Sequence, residues 1–335
     1  MDNIQYYAPV IIPTLCRYKH FKQCIESLMR CTHAIKTDVF IGLDYPAKDE
    51  HWSGYRKILN YLNTIEEQSC FKSLNIIRRE RNYGLGKNGN SAMLIKEILK
   101  KYDAYIFSED DNIFSPAFLD FINRGLQLYK DNKQILAING YSFYFNFRCA
   151  EDDTVYFGNY TFSGWGYGIW KDRRIKLDTL SSKWLRSKGI IKSCLMIAKN
   201  YGWERTLRYV SALNIPDNKF RITDYMIASY MILDKKYVII PRISLVRNIG
   251  IDGSGENFEN VSDINKNKYS RQLIYEGTEY SIVKNGPDYF KINNKVYEEN
   301  SLDKISFFKF LTILSKAILC KVGKIIKHLI NNIGK

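Results

Sequence analysis

Residues 8–108 alternate short apolar runs with stretches of helical periodicity, and this cadence limits the chain more than any other feature. Ala8–Pro13 reads as a buried strand that ends at Pro13. His20–Cys31 then puts Phe21, Cys24, Ile25 and Leu28 on one helical face. Asp38–Asp44 is a second strand with an aspartate at its C-terminal end, and Tyr55–Ile65 a second helix. Leu74–Arg78, Ser91–Lys101 and Tyr102–Ser108 continue as strand, helix and strand. This order predicts an α/β fold, with a mixed, mostly parallel central sheet, right-handed crossovers and flanking helices. Such sheets bind ligands at the C-terminal ends of their strands.

The second half is less regular. Pro116–Leu128 reads as a helix, with Ser115 as N-cap and Pro116 at the first helical position. Ile135–Ile138 and Tyr237–Ile240 are strand-like, and Thr223–Leu233 is helical. Phe162–Trp170 is rich in glycine and tryptophan, and a polar loop is expected from Pro241 through Asn260. Residues 263–300 are polar and give no assignable element.

The fourth strand stops at Glu109, Asp110 and Asp111. Clustered carboxylates repel one another unless a cation neutralises them. Hard oxygen ligands suit Mg²⁺ or Mn²⁺, with Asp111 as first direct ligand because it reaches furthest past the strand. Such an ion bridges phosphates and acts as a Lewis acid for a departing diphosphate. The alternative, a helix-capping loop, is disfavoured because Ser115 and Pro116 already supply that cap. Asn82–Asn90 carries glycines that allow close backbone approach, and Lys87 offers a charge to a phosphate. It has neither the Walker nor the dinucleotide glycine spacing. Pro13, Thr14 and Arg17 follow the first strand and Asp44 ends the second, where a nucleotide would sit. The alternatives are a helix cap for Thr14 and a surface position for Arg17. Asp224 stands where a helix begins, so it is either a general base or a first-turn dipole partner. Neither a GxSxG elbow nor an HExxH motif occurs.

The formal charge of +15 favours anionic partners. No helix-turn-helix, zinc-finger or RNA-binding consensus accompanies it, so nucleic acid is not an expected partner. Part of the excess lies in residues 303–335. There Phe307, Phe308, Leu311, Leu314, Ile318, Val322, Ile325, Ile326, Leu329 and Ile333 share one helical side, and Lys309, Lys316, Lys324 and Lys327 the other. This pattern predicts a basic amphipathic helix lying on an anionic membrane, or else packed on the domain with a solvated lysine face. The seven cysteines are scattered, no CxxC occurs, and no basic leader precedes an apolar run. A reduced, cytoplasmic protein is expected, peripheral at the inner face of the membrane.

As a set these residues resemble the GT-A glycosyltransferases over about residues 8–260. The pattern is similar to bacterial family 2 transferases and to enzymes like N-acetylglucosaminyltransferase I. The likeness is carried by Val10–Thr14 with Arg17, Asp44, Arg81 and Asn82 with Gly84, the Glu-Asp-Asp triplet, the segment 162–173, Asp224 and the loop from Pro241 to Gly255. It implies a nucleotide-sugar-binding half (1–115), an acceptor-binding and catalytic half (116–260), an irregular extension (261–302) and the amphipathic helix (303–335). It further implies metal-dependent, inverting transfer of a hexosyl or N-acetylhexosaminyl group from a nucleotide-diphosphate sugar, such as a UDP-sugar. The acceptor is then a saccharide or lipid-linked oligosaccharide in bacterial capsule or O-antigen synthesis. On this resemblance Asp224 is the base. Pro13, Thr14, Arg17, Asp44, Arg81, Asn82, Lys87, Glu109, Asp110, Trp165 and Gly166 contact the donor. Asp111 and Asp110 bind Mn²⁺ or Mg²⁺. Relatives often have a histidine after the Gly-Ser-Gly, where Glu256 stands here, so the next ligand is Glu256 or a water. The rival readings are a sugar-phosphate nucleotidyltransferase and a non-catalytic membrane-associated scaffold.

Overall fold

The computed structural model describes residues 4–66, 68–142, 155–158, 162–201, 203–213, 215–216, 222–252, 273–282 and 312. The predicted amphipathic helix at 303–335 and Glu256 lie outside the described residues, Thr312 excepted.

The chain divides into two compact units. The first comprises Met1–Thr179 and Arg221–Val296, and the described part of the second falls largely within Leu180–Phe220. In the first unit, β1 (Val10–Thr14), β2 (Asp38–Leu43), β3 (Ser73–Arg78) and β4 (Ala104–Phe107) run parallel, as the alternation predicts. Val10 pairs with Val39 on one side and Ile106 on the other. Helices α1 (Tyr18–Met29), α2 (His51–Ile65) and α3 (Asn90–Ile98) link these strands. The buried face of α1 includes Phe21, Cys24, Ile25 and Leu28, the stripe read from the sequence.

The next strands are β5 (Asn112–Phe114), β6 (Ile135–Asn139), β7 (Val155–Gly158), β8 (Tyr167–Trp170), β9 (Tyr237–Pro241) and β10 (Val246–Asn248). The main sheet has eight strands in the order β3-β2-β1-β4-β8-β6-β9-β7. β8 runs antiparallel to both β4 and β6, β6 pairs parallel with β9, and β7 closes the edge antiparallel to β9. The expected α/β class with a mixed sheet is therefore present, and the arrangement is consistent with the GT-A fold. One sheet spans both expected halves, on either side of residue 115.

Two expectations change. The helix placed at Pro116–Leu128 is α4 (Phe118–Leu128), with Ala117 at its N-cap position and no side-chain cap. The Ser115 hydroxyl accepts the Ala117 N–H at 3.3 Å, and the Ser115 carbonyl accepts the Phe118 N–H. Ser115 and Pro116 thus form a turn before the helix. The polar loop after Pro241 contains β10, which pairs antiparallel with β5 and sets Asn248 opposite Asn112. Between β8 and β9, among the described residues, α5 (Lys171–Asp178), α6 (Ser182–Ser187), α7 (Ile190–Tyr201) and α8 (Trp203–Leu213) had no counterpart in the sequence pattern, while α9 (Asp224–Leu233) was expected. Helices α6, α7 and α8 belong to the second unit, where Ser181 caps α6 by accepting the Trp184 N–H and Tyr209 donates to the Leu185 carbonyl.

Candidate functional site

The parallel strands β1 and β4 end side by side, and their following turns bring Thr14, Arg17, Asp110 and Asp111 together. Thr14 Oγ1 donates to Asp110 Oδ2 at 2.8 Å. The Arg17 guanidinium pairs with Asp110 Oδ1 and, through Nη1, with Asp111 Oδ2 at 2.7 Å. Neither residue takes its alternative role. Helix α1 has no side-chain cap, and the Arg17 side chain keeps only 22% exposure. Asn248 completes the cluster, donating from Nδ2 to Asp111 Oδ1 at 2.6 Å and to Asn112 Oδ1 at 3.2 Å. Each oxygen of the Asp110–Asp111 pair therefore accepts a protein donor. The Ile249 N–H also donates to the Asp111 carbonyl. Beyond it the backbone passes so close that a Cβ on Gly250 would lie 2.0 Å from Asp111 Oδ2 and 2.8 Å from Arg17 Nη1. Asp252 then pairs with His20 of α1 at 3.1 Å.

Glu109 and Asp224 form the other half of the site. Asp224 is the first residue of α9, and its Oδ2 accepts the Gly164 N–H at a long 3.4 Å. A Cβ on Gly164 would sit 3.7 Å from Asp224 Oδ1 and 4.0 Å from Glu109 Oε1, so the two acids flank this glycine. Asp224 keeps contact with solvent. The protein around its carboxyl nevertheless penalises the charged form and pushes it up to about 6, with the Gly164 N–H pulling the other way. Burial, followed by the charges of Asp111, Asp224 and Asp110, pushes Glu109 up to about 8 against the pull of Arg17. Burial also raises Asp110, opposed by Arg17 and Thr14. Burial alone would lower Arg17, but Asp110 and Asp111 hold it above its ordinary value.

The remaining expected donor contacts are spread more widely. Pro13 lies in β1, next to Thr14. Asp44 is buried after β2 and accepts N–H groups from Tyr45 at 3.0 Å, Tyr83 at 3.0 Å and Gly84 at 2.9 Å. Asn82 donates to the Tyr45 carbonyl at 2.6 Å. Asp44 thus orders the loop after β3, where Gly84 has φ +55°. Arg81 and Lys87 are exposed on that loop, with the Arg81 guanidinium over the Tyr83 ring, and neither pairs with the acidic triplet. Trp165 is half-buried and edge-on to Tyr141 at 4.7 Å. Gly166 has φ +72°, and a Cβ there would meet Val246 Cγ2 at 2.8 Å, so this glycine serves close packing. Gly164 lies in the expected 162–173 segment, and Asn248 and Asp252 in the expected loop from Pro241 to Gly255, but the sequence singles out none of them, nor the His20–Asp252 pair. The Asn248 contacts with Asp111 and Asn112 leave no local signal, since these partners are 137 and 136 residues away.

Among the described residues, no three His, Cys, Asp or Glu side chains converge so as to hold a metal ion. The donor chemistry still fits one. Asp110 and Asp111 offer hard oxygens, and Mg²⁺ is commonly bound through one or two carboxylates together with substrate phosphates. The Arg17 guanidinium lies against oxygens that such an ion would use.

No protein-family model and no curated protein matches the chain. Among solved structures, residues 1–349 of S. aureus TarS are similar at 11% identity and a TM-score of 0.38, covering 70% of this chain and 58% of that one. The mannosyltransferase PcManGT from Pyrobaculum calidifontis, in complex with GDP-Man and Mn²⁺, gives 12% identity and a TM-score of 0.33, covering 51% and 46%. The WbbM bifunctional glycosyltransferase gives 13% and 0.27, covering 42% and 24%. This chain thus spans less than two thirds of each of them.

Proposed function

We propose that the chain is an inverting glycosyltransferase, moving a sugar from a nucleotide-diphosphate donor to a saccharide hydroxyl. One observation carries this reading. At the C-terminal ends of β1 and β4, a donor-saturated Asp110–Asp111 pair follows Glu109, which shares Gly164 with Asp224, a carboxyl raised to about 6. Asp224 is ionised at neutral pH yet holds a proton more tightly than an ordinary aspartate. That suits a base that takes the acceptor's proton as its oxygen attacks the anomeric carbon. Glu109, raised to about 8, is largely protonated at pH 7 and can donate a hydrogen bond between the two halves. Arg17 can take a phosphate through its planar fork, and Trp165 offers an apolar wall to a sugar face. Pro13, Thr14, Asp44, Arg81, Asn82, Lys87, Asp110 and Gly166 complete the proposed donor surroundings. A divalent cation, Mn²⁺ or Mg²⁺, held by Asp111 with Asp110 and with Glu256 or a water, would supply charge neutralisation at the diphosphate.

The biological reading is surface polysaccharide synthesis on a lipid-linked acceptor, with residues 303–335 on the cytoplasmic face of an anionic membrane. Among the described residues no helix is long and apolar enough to cross a membrane. Deleting residues 303–335 should reduce sedimentation with anionic liposomes, and undiminished binding removes the anchor from the proposal. Activity is tested by incubating the purified chain with a panel of nucleotide sugars, with Mn²⁺ and then with EDTA. Metal-dependent release of nucleoside diphosphate from one donor is expected. Silence across the panel, with no donor binding by calorimetry, sinks the transferase reading.

A further inference from the structure

We propose that Arg17 is the counter-ion that a divalent cation must displace from Asp110 and Asp111, and that a nucleoside diphosphate promotes this exchange by binding the released guanidinium. The proposal rests on the transferase reading for the identity of its ligand. Its geometric basis is independent of that reading.

The Asp110–Asp111 pair is almost closed to solvent, with side-chain exposures of 9% and 7%. Two adjacent buried carboxylates need positive charge, and here one guanidinium serves both. Thr14 and Asn248 answer the other two oxygens, but they are neutral. Arg17 is therefore the cation in direct contact with the pair among the described residues. A cation approaching Asp111 Oδ2 meets Nη1 at 2.7 Å, and Gly250 passes so near that a Cβ there would lie 2.0 Å from the same oxygen. Like charges drawn to one oxygen repel each other, so metal and guanidinium compete for it.

The exchange has a chemical outlet. Arg17 stands between β1 and α1, where the turn Cys16–Arg17 is not held inside a helix or strand, so its side chain can withdraw without breaking either element. A guanidinium leaving one pair of carboxylate oxygens can engage phosphate oxygens through the same fork. A diphosphate thus lowers the cost of uncovering the acids, and the uncovered acids attract the divalent ion. Linkage requires the converse: the metal must raise affinity for the diphosphate by the same factor. Arg17 acts on the cation through the two carboxylates and on the diphosphate by direct contact.

The test is Mn²⁺ binding by calorimetry and by the loss of the free-ion electron paramagnetic resonance signal. It uses the full chain, with and without UDP and GDP, and without sugar transfer. Wild type should bind Mn²⁺ weakly alone and more tightly with one of the diphosphates. Arg17→Met should bind Mn²⁺ alone on the order of tenfold more tightly, because the competitor is gone and the acids are left unneutralised. Its diphosphate-induced gain should shrink, and Asp111→Asn should abolish tight binding in either background. Arg17→Lys keeps the charge but loses the fork, so its Mn²⁺ affinity should stay near wild type with reduced diphosphate coupling. Should Arg17→Met fold poorly, Mn²⁺ should raise its melting temperature more than that of wild type. Mn²⁺ affinity in Arg17→Met equal to or below wild type overturns the proposal, as does a melting temperature that Mn²⁺ leaves unmoved. A wild-type protein that shows the competition but turns over no nucleotide sugar would remove the transferase reading and leave the exchange standing.

Discussion

The site holds two pairs of carboxyl groups under opposite regimes. Asp110 and Asp111 accept from Thr14, Arg17 and Asn248, and no oxygen of either is left unanswered. Glu109 and Asp224 flank Gly164, whose N–H reaches Asp224 at 3.4 Å. Burial raises Asp110, Glu109 and Asp224 alike, but Arg17 and Thr14 pull Asp110 back directly, while Glu109 and Asp224 reach about 8 and about 6. Partner supply rather than residue type separates the two pairs, because donors stabilise the ionised form and burial opposes it.

The largest effect should come from the poorly partnered pair. Asp224→Asn keeps size and the Gly164 contact but cannot take a proton, so kcat should fall about 10²–10⁴-fold. Donor affinity by calorimetry should hold. Full activity in this variant would remove the base assignment and with it the contrast. A second experiment sharpens the same point. With Asp224 raised to about 6, kcat/KM of wild type should fall roughly tenfold per pH unit below that value and level off above it. A profile that stays flat down to pH 5 would mean that no group raised in this way acts as base.

The well-partnered pair should respond in stability and geometry. Gly250→Ala places a Cβ where Asp111 Oδ2 already lies, 2.0 Å away. Backbone and carboxylate cannot both stay, so urea unfolding should show a loss of about 1–3 kcal/mol, with weaker Mn²⁺ binding. An unchanged midpoint and unchanged binding would mean that the loop does not rest on Asp111. Thr14→Val should cost less, about 0.5–1.5 kcal/mol, since Asp110 loses one neutral donor and keeps Arg17.

The two halves of the site were not equally legible in the sequence. Strands β1, β2 and β4 are buried in a parallel stack, so each is a continuous apolar run, and charges placed straight after one stand out. That is why Glu109, Asp110, Asp111, Thr14 and Arg17 were readable. The short strands β5 and β10 have three residues each and exist through their mutual pairing, which no local pattern reports. Asn248 and the close approach of Gly250 disappear with them. Helix α5 buries only Arg173 and Leu177, so it shows little apolar periodicity. Ser115 and Pro116 misled for a related reason, as the same residues that open helices also make the turn found here. Asp224 could be read either way, because a first-turn acid looks the same whether it faces a helix dipole or Gly164 on another segment.

The smallest effect belongs to Glu109. Glu109 is raised from 4.5 to about 8, so the folded chain holds this proton over a range in which the unfolded chain has lost it. Stability must fall with rising pH wherever the folded state binds more protons. Asp224 makes the same kind of contribution only up to about 6, leaving pH 6–8 as the window in which Glu109 dominates between the two. Glu109→Gln is neutral at every pH. Its melting temperature, measured in EDTA, should therefore decline less than that of wild type from pH 6 to 8. The variant should gain relative to wild type as pH rises, because wild type must either ionise Glu109 beside three other acids or keep it protonated at growing cost. Parallel curves across that window would show that Glu109 ionises as an ordinary glutamate.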